Sequence, residues 1–180
     1  MNKIVDIAYE NEELITRLAA ITRAAFKETA PNWLTTDELA TKQVLASASQ
    51  NRLGRVSLSG GNPTGWIAVI QRRHVWEIHP IAVDPTMQGN GTGRNLVEDI
   101  AQLARDKKIS TLFAATSDET GTTNLYGENL YKDPSTAIKQ LDSKGRSPYK
   151  FWESVGFTVV GILPDEEGPG KPGIHLARKP

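Results

Sequence analysis

The chain has 180 residues, enough for a hydrophobic core, and we expect one domain over residues 1–180. Its 21 lysines and arginines balance 21 aspartates and glutamates, so no overall field draws it to nucleic acid or to an anionic membrane. It contains no cysteine, which excludes disulfides, thiolate metal sites and an acyl-cysteine intermediate. We find no signal-peptide pattern or membrane span, and we expect a cytoplasmic protein.

The N-terminal part is predicted to form two helices and then a meander of strands. Apolar residues recur at helical spacing between Glu10 and Lys27. A second helix is predicted to start near Thr36, which can cap it, and to run to about Ser49. Three antiparallel strands are predicted next, over residues 55–58, 65–71 and 75–83.

After Val83 the apolar spacing changes from two to 3.6 residues. It predicts a helix over residues 91–107 and then a strand over residues 109–116. Strand, glycine turn, helix and strand make a βαβ unit, which requires a parallel pair. The fold class is therefore α/β (α+β), with a mixed, mostly antiparallel sheet. Beyond a polar surface segment, a helix and two strands are predicted over residues 148–154, 157–163 and 174–177.

The turn that opens the central helix is rich in glycine. In Gln88-Gly89-Asn90-Gly91-Thr92-Gly93-Arg94, several backbone N–H groups lie at a helix N-terminus, which favours anion binding. An ordinary turn that needs positive φ is an alternative. A dinucleotide-binding loop does not fit, because its last glycine is missing and antiparallel strands precede the unit.

The turn matches the pattern Gln/Arg-x-x-Gly-x-Gly/Ala at Gln88, Gly91 and Gly93. With the preceding Ile81-Ala82-Val83-Asp84-Pro85, it resembles the cofactor motif of the GNAT N-acetyltransferases. Residues 76–83, 116–123, 148–157 and 160–164 also resemble the enterococcal type of aminoglycoside 6′-N-acetyltransferase. The resemblance covers about residues 64–178.

The resemblance implies a GNAT fold, in which the fourth and fifth strands splay apart in a V, and acetyl-CoA as the cofactor. A bulge near Ile81 would free a backbone N–H for the thioester oxygen. A homodimer is also implied. The residues implied to bind the cofactor are Ile81, Ala82, Val83, Gln88, Gly89, Asn90, Gly91, Thr92, Gly93, Arg94 and Trp152.

Direct acetyl transfer needs a base, because an amine is protonated at neutral pH. Glu77 is the candidate, and the resemblance assigns this role to the matching glutamate. Glu77 and His79 are two residues apart in a strand, so they should share a face, where His79 could orient water. Alternatively, Glu77 faces solvent or pairs with Arg72 or Arg73. We expect no metal site, because Glu77 and His79 lack a third ligand.

The departing thiolate needs a proton. The resemblance places a tyrosine where this chain has Trp152, and indole is not a general acid. Tyr149, one helical turn earlier, or solvent is therefore expected to supply the proton. Trp152 could equally be a core aromatic residue.

The acceptor is expected to be a small cationic amine. Trp76, Asp118 and Glu119 are the candidate substrate-binding residues, and residues 165–167 add further negative charge. These acidic groups could also be solvated loop residues. The resemblance favours the 6′-amine of an aminoglycoside and so points to the enzymes of antibiotic resistance, but an enzyme able to modify a drug can serve another purpose, and a polyamine is a plausible everyday substrate. A protein (lysine or N-terminal) acetyltransferase and an acetyl-CoA-binding regulator without catalysis remain alternatives.

Overall fold

The structure, a computed structural model, describes residues 2–180. The strands are β1 (Asn2–Asp6), β2 (Arg52–Ser59), β3 (Asn62–Gln71), β4 (Val75–Val83), β5 (Thr111–Ser117), β6 (Thr158–Leu163) and β7 (Gly173–Arg178). The helices are α1 (Glu12–Phe26), α2 (Asp37–Ala46), α3 (Thr92–Asp106), α4 (Pro134–Lys139) and α5 (Pro148–Ser154), with a 3-10 turn at Pro85–Met87. No helix within residues 2–180 has the length and apolarity needed to cross a bilayer.

The strands form a mostly antiparallel sheet in the order β1-β2-β3-β4-β5-β7-β6, with one parallel pair, as the sequence predicted. The predicted bounds of β4 and α5 are also correct. Strand β1 was missed. It pairs antiparallel with β2, from Asn2 opposite Ser59 to Asp6 opposite Arg55. With β1 present, β4 is the fourth strand along the chain, as the resemblance implied.

The chain divides into two compact units. The first comprises Met1–Lys27, Asn32–Leu112 and Lys179–Pro180, and the second comprises Glu28–Pro31 and Phe113–Arg178. The expectation of a single domain stays a prediction.

One core of the first unit lies between helices α1 and α2 and one face of strands β2 to β4. Leu18 and Val44 of the helices and Val56 and Trp66 of the strands are fully buried there. The indole Nε1–H of Trp66 donates to Thr22 Oγ1 over 2.8 Å, so its burial leaves no unmet donor.

Helix α3 covers the opposite face of the same strands. Its apolar stripe, which includes Leu96 and Ile100, is fully buried. Arg55 of β2 fixes the helix through two hydrogen bonds to Asp99, of 2.8 and 3.0 Å, and a third of 2.6 Å ties Arg55 to Asp6 of β1. Arg55 thus joins three elements of the first unit.

The second unit contains the antiparallel pair β6–β7 with helices α4 and α5. Phe157 packs edge-on against Trp152, with ring centroids 5.0 Å apart. The Arg178 guanidinium lies over the Phe157 ring at 5.6 Å and donates to the Val155 carbonyl over 2.5 Å. These contacts join helix α5 to strand β7.

Candidate active site

Strand β4 carries an extra residue relative to its neighbour β3. Ile67 pairs with Ile81, whereas Val69 pairs with Ile78, so the one intervening residue of β3, Ala68, is opposed by two of β4. This shift is a β-bulge at residues 79–80, which are joined by a cis peptide bond. The bulge predicted near Ile81 is confirmed.

The bulge determines which side chains share a face. Residues that pair directly lie on the same face of the sheet, and Glu77 pairs with Ile70 while Ala82 pairs with Trp66. Ile70 and Trp66 are an even number of residues apart, so both point to the side covered by α1 and α2. Glu77 therefore lies on that side, together with Ala82. In a regular strand, Glu77 and Ala82 would point to opposite faces of the sheet, because they are an odd number of residues apart.

Glu77 is largely shielded and carries one ion pair. Its Oε2 accepts a hydrogen bond of 2.8 Å from Arg72 Nη2, and the side chains are 23% and 66% exposed respectively. Pairing with an arginine was one of the alternatives left open by the sequence. A pair this exposed contributes about 0–1 kcal/mol, so an acceptor can displace Arg72 at little cost. The role of Glu77 as base stays a prediction.

His79 packs against an aromatic pair beyond helix α1. Its ring centroid is 5.7 Å from that of Trp33, which is itself edge-on to Phe26 at 4.7 Å. Burial lowers the pKa of His79, the positive charge of Arg52 lowers it further, and Glu77 opposes both. His79 is therefore mainly the neutral imidazole at neutral pH. That the side chains of Glu77 and His79 share a face stays a prediction.

The glycine turn leads from β4 into helix α3. Gly89 and Gly91 both have φ of +80°, and a Cβ on either would meet no atom within 4 Å. Helix α3 begins without a side-chain cap on its first N–H groups. Thr92 Oγ1 is buried and has no hydrogen-bond partner within the described residues. This open, uncapped helix end fits the anionic pyrophosphate of a coenzyme A molecule.

Two side chains fasten this turn to the sheet. Asp84 accepts hydrogen bonds from the backbone and hydroxyl of Thr86, which lower the Asp84 pKa, and it pairs with Arg17 of α1 at 2.5 Å. Gln88 Nε2 donates to the Val83 carbonyl over 3.1 Å. The motif glutamine thus holds the turn against the end of β4, through the carbonyl of Val83, a residue implied to bind the cofactor.

The structure separates Trp76 from Glu77. Trp76 pairs with Gln71 and is only 3% exposed, on the α3 side of the sheet. Because neighbouring residues in a strand point to opposite faces, Trp76 lies away from Glu77. Trp76 is a buried residue of the core, and its contact with substrate stays a prediction.

Tyr149 and Trp152 lie on helix α5 in the second unit. Tyr149 is 1% exposed, and its hydroxyl has no hydrogen-bond partner among the described residues. Trp152 is packed between Phe151 and Phe157, with ring centroids 5.2 and 5.0 Å away. Trp152 therefore takes the core position that the sequence left open, and its contact with the cofactor stays a prediction.

Asp118 has a structural role that the sequence did not reveal. It is 2% exposed, and its carboxylate accepts four hydrogen bonds from the backbone and hydroxyl groups of Thr122 and Thr123, of 2.7–3.2 Å. Both oxygens are engaged in closing the loop after β5. Glu119 beside it is half-buried. Substrate binding by either residue stays a prediction.

The acidic segment after β6 is also occupied by local contacts. Asp165 accepts from the Gly170 N–H over 2.7 Å, and Glu166 pairs with His175 at 3.2 Å. Glu167 accepts from Ser117 over 3.3 Å. Within residues 2–180, no group of three His, Cys, Asp or Glu side chains is arranged to hold a metal ion.

Arg52 was missed by the sequence analysis. It pairs with Ile70, which in turn pairs with Glu77, so the three residues form a row on one face. Arg52 Nη1 is buried without a hydrogen-bond partner in the described structure. No sequence signal marks this arginine, because only the register of three strands brings it into line with Glu77.

A model of the acetyltransferase (GNAT) family matches residues 9–132. The chain belongs to this family. It is an acetyl-CoA-dependent N-acetyltransferase of the GNAT type, and acetyl-CoA is its cofactor.

Solved structures show the same fold. An aminoglycoside 6′-N-acetyltransferase complexed with coenzyme A is similar with a TM-score of 0.87 and 24% identity, over 98% of this chain and 96% of that one. The aminoglycoside 6′-N-acetyltransferase from Enterococcus faecium is similar with a TM-score of 0.83 and 23% identity, again over 98% of this chain and 96% of that one. The ribosomal-protein-S18-alanine N-acetyltransferase from Escherichia coli is similar with a TM-score of 0.66 and 18% identity, over 98% of this chain and 92% of that one. No curated protein matches the chain significantly.

Proposed function

We propose that this enzyme acetylates a primary amine of a small cationic molecule, and that the 6′-amine of an aminoglycoside is its acceptor. The observation that supports this acceptor is the similarity, over nearly the full length of both chains, to two aminoglycoside 6′-N-acetyltransferases. On the earlier resemblance alone, we also propose a homodimer, and the cytoplasmic location stays a prediction of the sequence.

Acetyl-CoA supplies the acetyl group as a thioester, and a C–N bond to the acceptor forms as the C–S bond breaks. The chain has no cysteine, so an acetyl-cysteine intermediate is excluded, and the proposed transfer goes directly to the acceptor amine. The residues proposed to hold the cofactor are those of the glycine turn, Gln88 to Arg94, with Ile81 to Val83 of β4. The uncapped N-terminus of α3 supports their role in binding the pyrophosphate.

Glu77 is the proposed base that takes a proton from the acceptor amine, directly or through water. Its Oε1 has no hydrogen-bond partner among the described residues, and only the exposed Arg72 engages Oε2. Neutral His79, which is electrostatically coupled to it, can accept a hydrogen bond from that water. Both groups can therefore accept a hydrogen bond from an N–H or O–H group.

Tyr149 is the proposed donor of the proton that the departing thiolate takes up. A buried hydroxyl without a partner costs about 1–3 kcal/mol, and a hydrogen bond to a bound molecule would offset this cost. Trp152 is unsuited to this role, since an indole N–H does not act as a general acid.

The test is release of free thiol from acetyl-CoA with kanamycin, spermidine and a short lysine peptide. Release with kanamycin supports the proposed acceptor, whereas release with the peptide or spermidine alone would identify a protein or polyamine acetyltransferase. Silence with every acceptor, despite acetyl-CoA binding, would favour a regulator.

The base is tested with Glu77→Gln, which should lower kcat by about 10²- to 10⁴-fold and leave acetyl-CoA affinity unchanged. Glu38→Gln is the matched control, because Glu38 also pairs with a cation, Lys42, over 2.8 Å at the surface. Wild-type turnover by the Glu77 variant would remove this residue from the base role.

A further inference from the structure

Arg52, at the start of β2, is a half-buried cation without an ion pair in the described structure. Its Nη1 is out of contact with solvent and has no hydrogen-bond acceptor. Most buried polar groups in proteins are paired, and an unpaired charged donor is among the most costly exceptions. Because the side chain as a whole is only half-buried, a bound molecule can reach the rest of this guanidinium and provide a partner for it.

The strand register places Arg52 on the face that carries Glu77. Arg52 is opposite Ile70, and Ile70 is opposite Glu77. The Cα atoms of Arg52 and Glu77 are thus two strand spacings apart, about 10 Å. A long side chain on one strand and a shorter one on the other can close most of this gap.

The other charged groups at this place leave Arg52 without a carboxylate. Glu77 is paired with Arg72. The ring of His79 lies 5.7 Å from that of the uncharged Trp33, measured between centroids. Burial lowers the pKa of His79 most, the charge of Arg52 lowers it further, and Glu77 raises it.

A guanidinium binds oxygen atoms through a rigid fork of N–H donors, and it pairs best with carboxylate and other oxygen acceptors. It repels an ammonium group. A molecule that carries only amines and methylene groups cannot satisfy Arg52.

We propose that Arg52 is a specificity-determining residue that donates a hydrogen bond to an oxygen of the acceptor, close to the amine that is acetylated. This inference rests on the proposed function of the face that carries Glu77. It restricts the acceptors to oxygen-bearing amines, such as amino sugars or peptides, and disfavours simple polyamines.

The kinetic test compares Arg52→Gln with the wild type on kanamycin, a lysine peptide and spermidine. For the oxygen-bearing acceptors, KM should rise about 10- to 100-fold, the effect of one lost charge-assisted hydrogen bond, with kcat nearly unchanged. KM for spermidine should stay the same or fall, because a repulsive charge is removed. Arg73→Gln, the same change at an exposed arginine in the β3–β4 turn, is the control.

The two proposals fail in different ways. If the wild type does not acetylate kanamycin, the proposal of an aminoglycoside acceptor is wrong. The role of Arg52 is then still tested by comparing the ratio of peptide to spermidine turnover between the wild type and Arg52→Gln. If Arg52→Gln raises KM equally for all acceptors, or for none of them, the proposed role of Arg52 is wrong.

A stability measurement tests whether Arg52 has only a structural role, even if no acceptor is turned over. Arg52 is half-buried, and its Nη1 is buried without a partner, so replacing it by an apolar side chain of similar length should not destabilise the fold, and Arg52→Met should melt at or above the wild-type temperature. A fall of more than about 4 °C would show that the guanidinium is a structural group and would refute the proposal.

Discussion

Replacing Gly91 by alanine tests whether the glycine turn binds the cofactor. Gly91 has φ of +80° and ψ of −1°, and an added Cβ would meet nothing within 4 Å. The effect on folding is therefore conformational, about 1–2 kcal/mol for an L-residue in the left-handed region. In a chain of this size, the melting temperature should fall by about 2–8 °C.

Cofactor affinity should fall for a separate reason. The new methyl group would enter the open space at the N-terminus of α3, where a phosphate approaches the uncapped N–H groups. Loss of one charge-assisted hydrogen bond costs about 1.5–3 kcal/mol, so the Kd of acetyl-CoA should rise about 10- to 150-fold.

The assay is calorimetric titration of acetyl-CoA together with thermal unfolding, and Gly60→Ala is the matched control. Gly60, between β2 and β3, also has positive φ (+58°) and open space around its Cβ position. Both variants should lose stability, but only Gly91→Ala should bind weakly. Wild-type affinity of Gly91→Ala, beside a loss of stability like that of Gly60→Ala, would refute a role of the turn in cofactor binding.

Two further predictions concern stability. The pKa of His79 in the folded chain lies below its unfolded value of about 6.5, so the unfolded state takes up the proton first and stability is lost as pH falls from about 6.5 through the folded pKa. His79→Gln should lose less stability than the wild type between about pH 7.5 and pH 5 in urea unfolding, with His74→Gln as control; equal losses in His79→Gln and the wild type would contradict this account. Asp118→Ala leaves the N–H groups of Thr122 and Thr123 without their acceptor, at about 1–3 kcal/mol each, so its melting temperature should fall by at least about 4 °C. Glu128→Ala, an exposed acid in the same segment, should melt like the wild type; an unchanged melting temperature of Asp118→Ala would show that the loop does not depend on this carboxylate.

The sequence predicted elements whose periodicity is long and undisturbed. Helix α3 has a continuous apolar stripe, and β4 alternates between buried and half-buried residues along its whole length. Strand β1 was missed because five residues at an edge offer too short a pattern, with polar Asn2, Lys3 and Asp6 around two apolar residues. Its ion pair with Arg55 becomes visible only in the folded chain.

Site residues were predictable where they depended on local spacing. The glycine turn and the position of Glu77 on β4 are of this kind. Asp118, Trp76 and Arg52 depend instead on tertiary contacts or on strand register. A buried carboxylate that closes a loop cannot be distinguished in sequence from one that meets a ligand, and neither can a core tryptophan from one in a cleft.

The bulge in β4 shifts the pairing register by one residue, and this shift decides which face of the sheet each residue before the bulge occupies. If β4 paired regularly from Ile81 without the bulge, Ile70 would pair with Ile78 instead of Glu77, and every side chain of β4 before the bulge would turn to the other face. The proposed base would then point toward α3. A relative with one residue fewer between Ile78 and Ile81 would keep Glu77 on this face without a bulge, whereas a relative with the same number of residues in a regular strand would lose it.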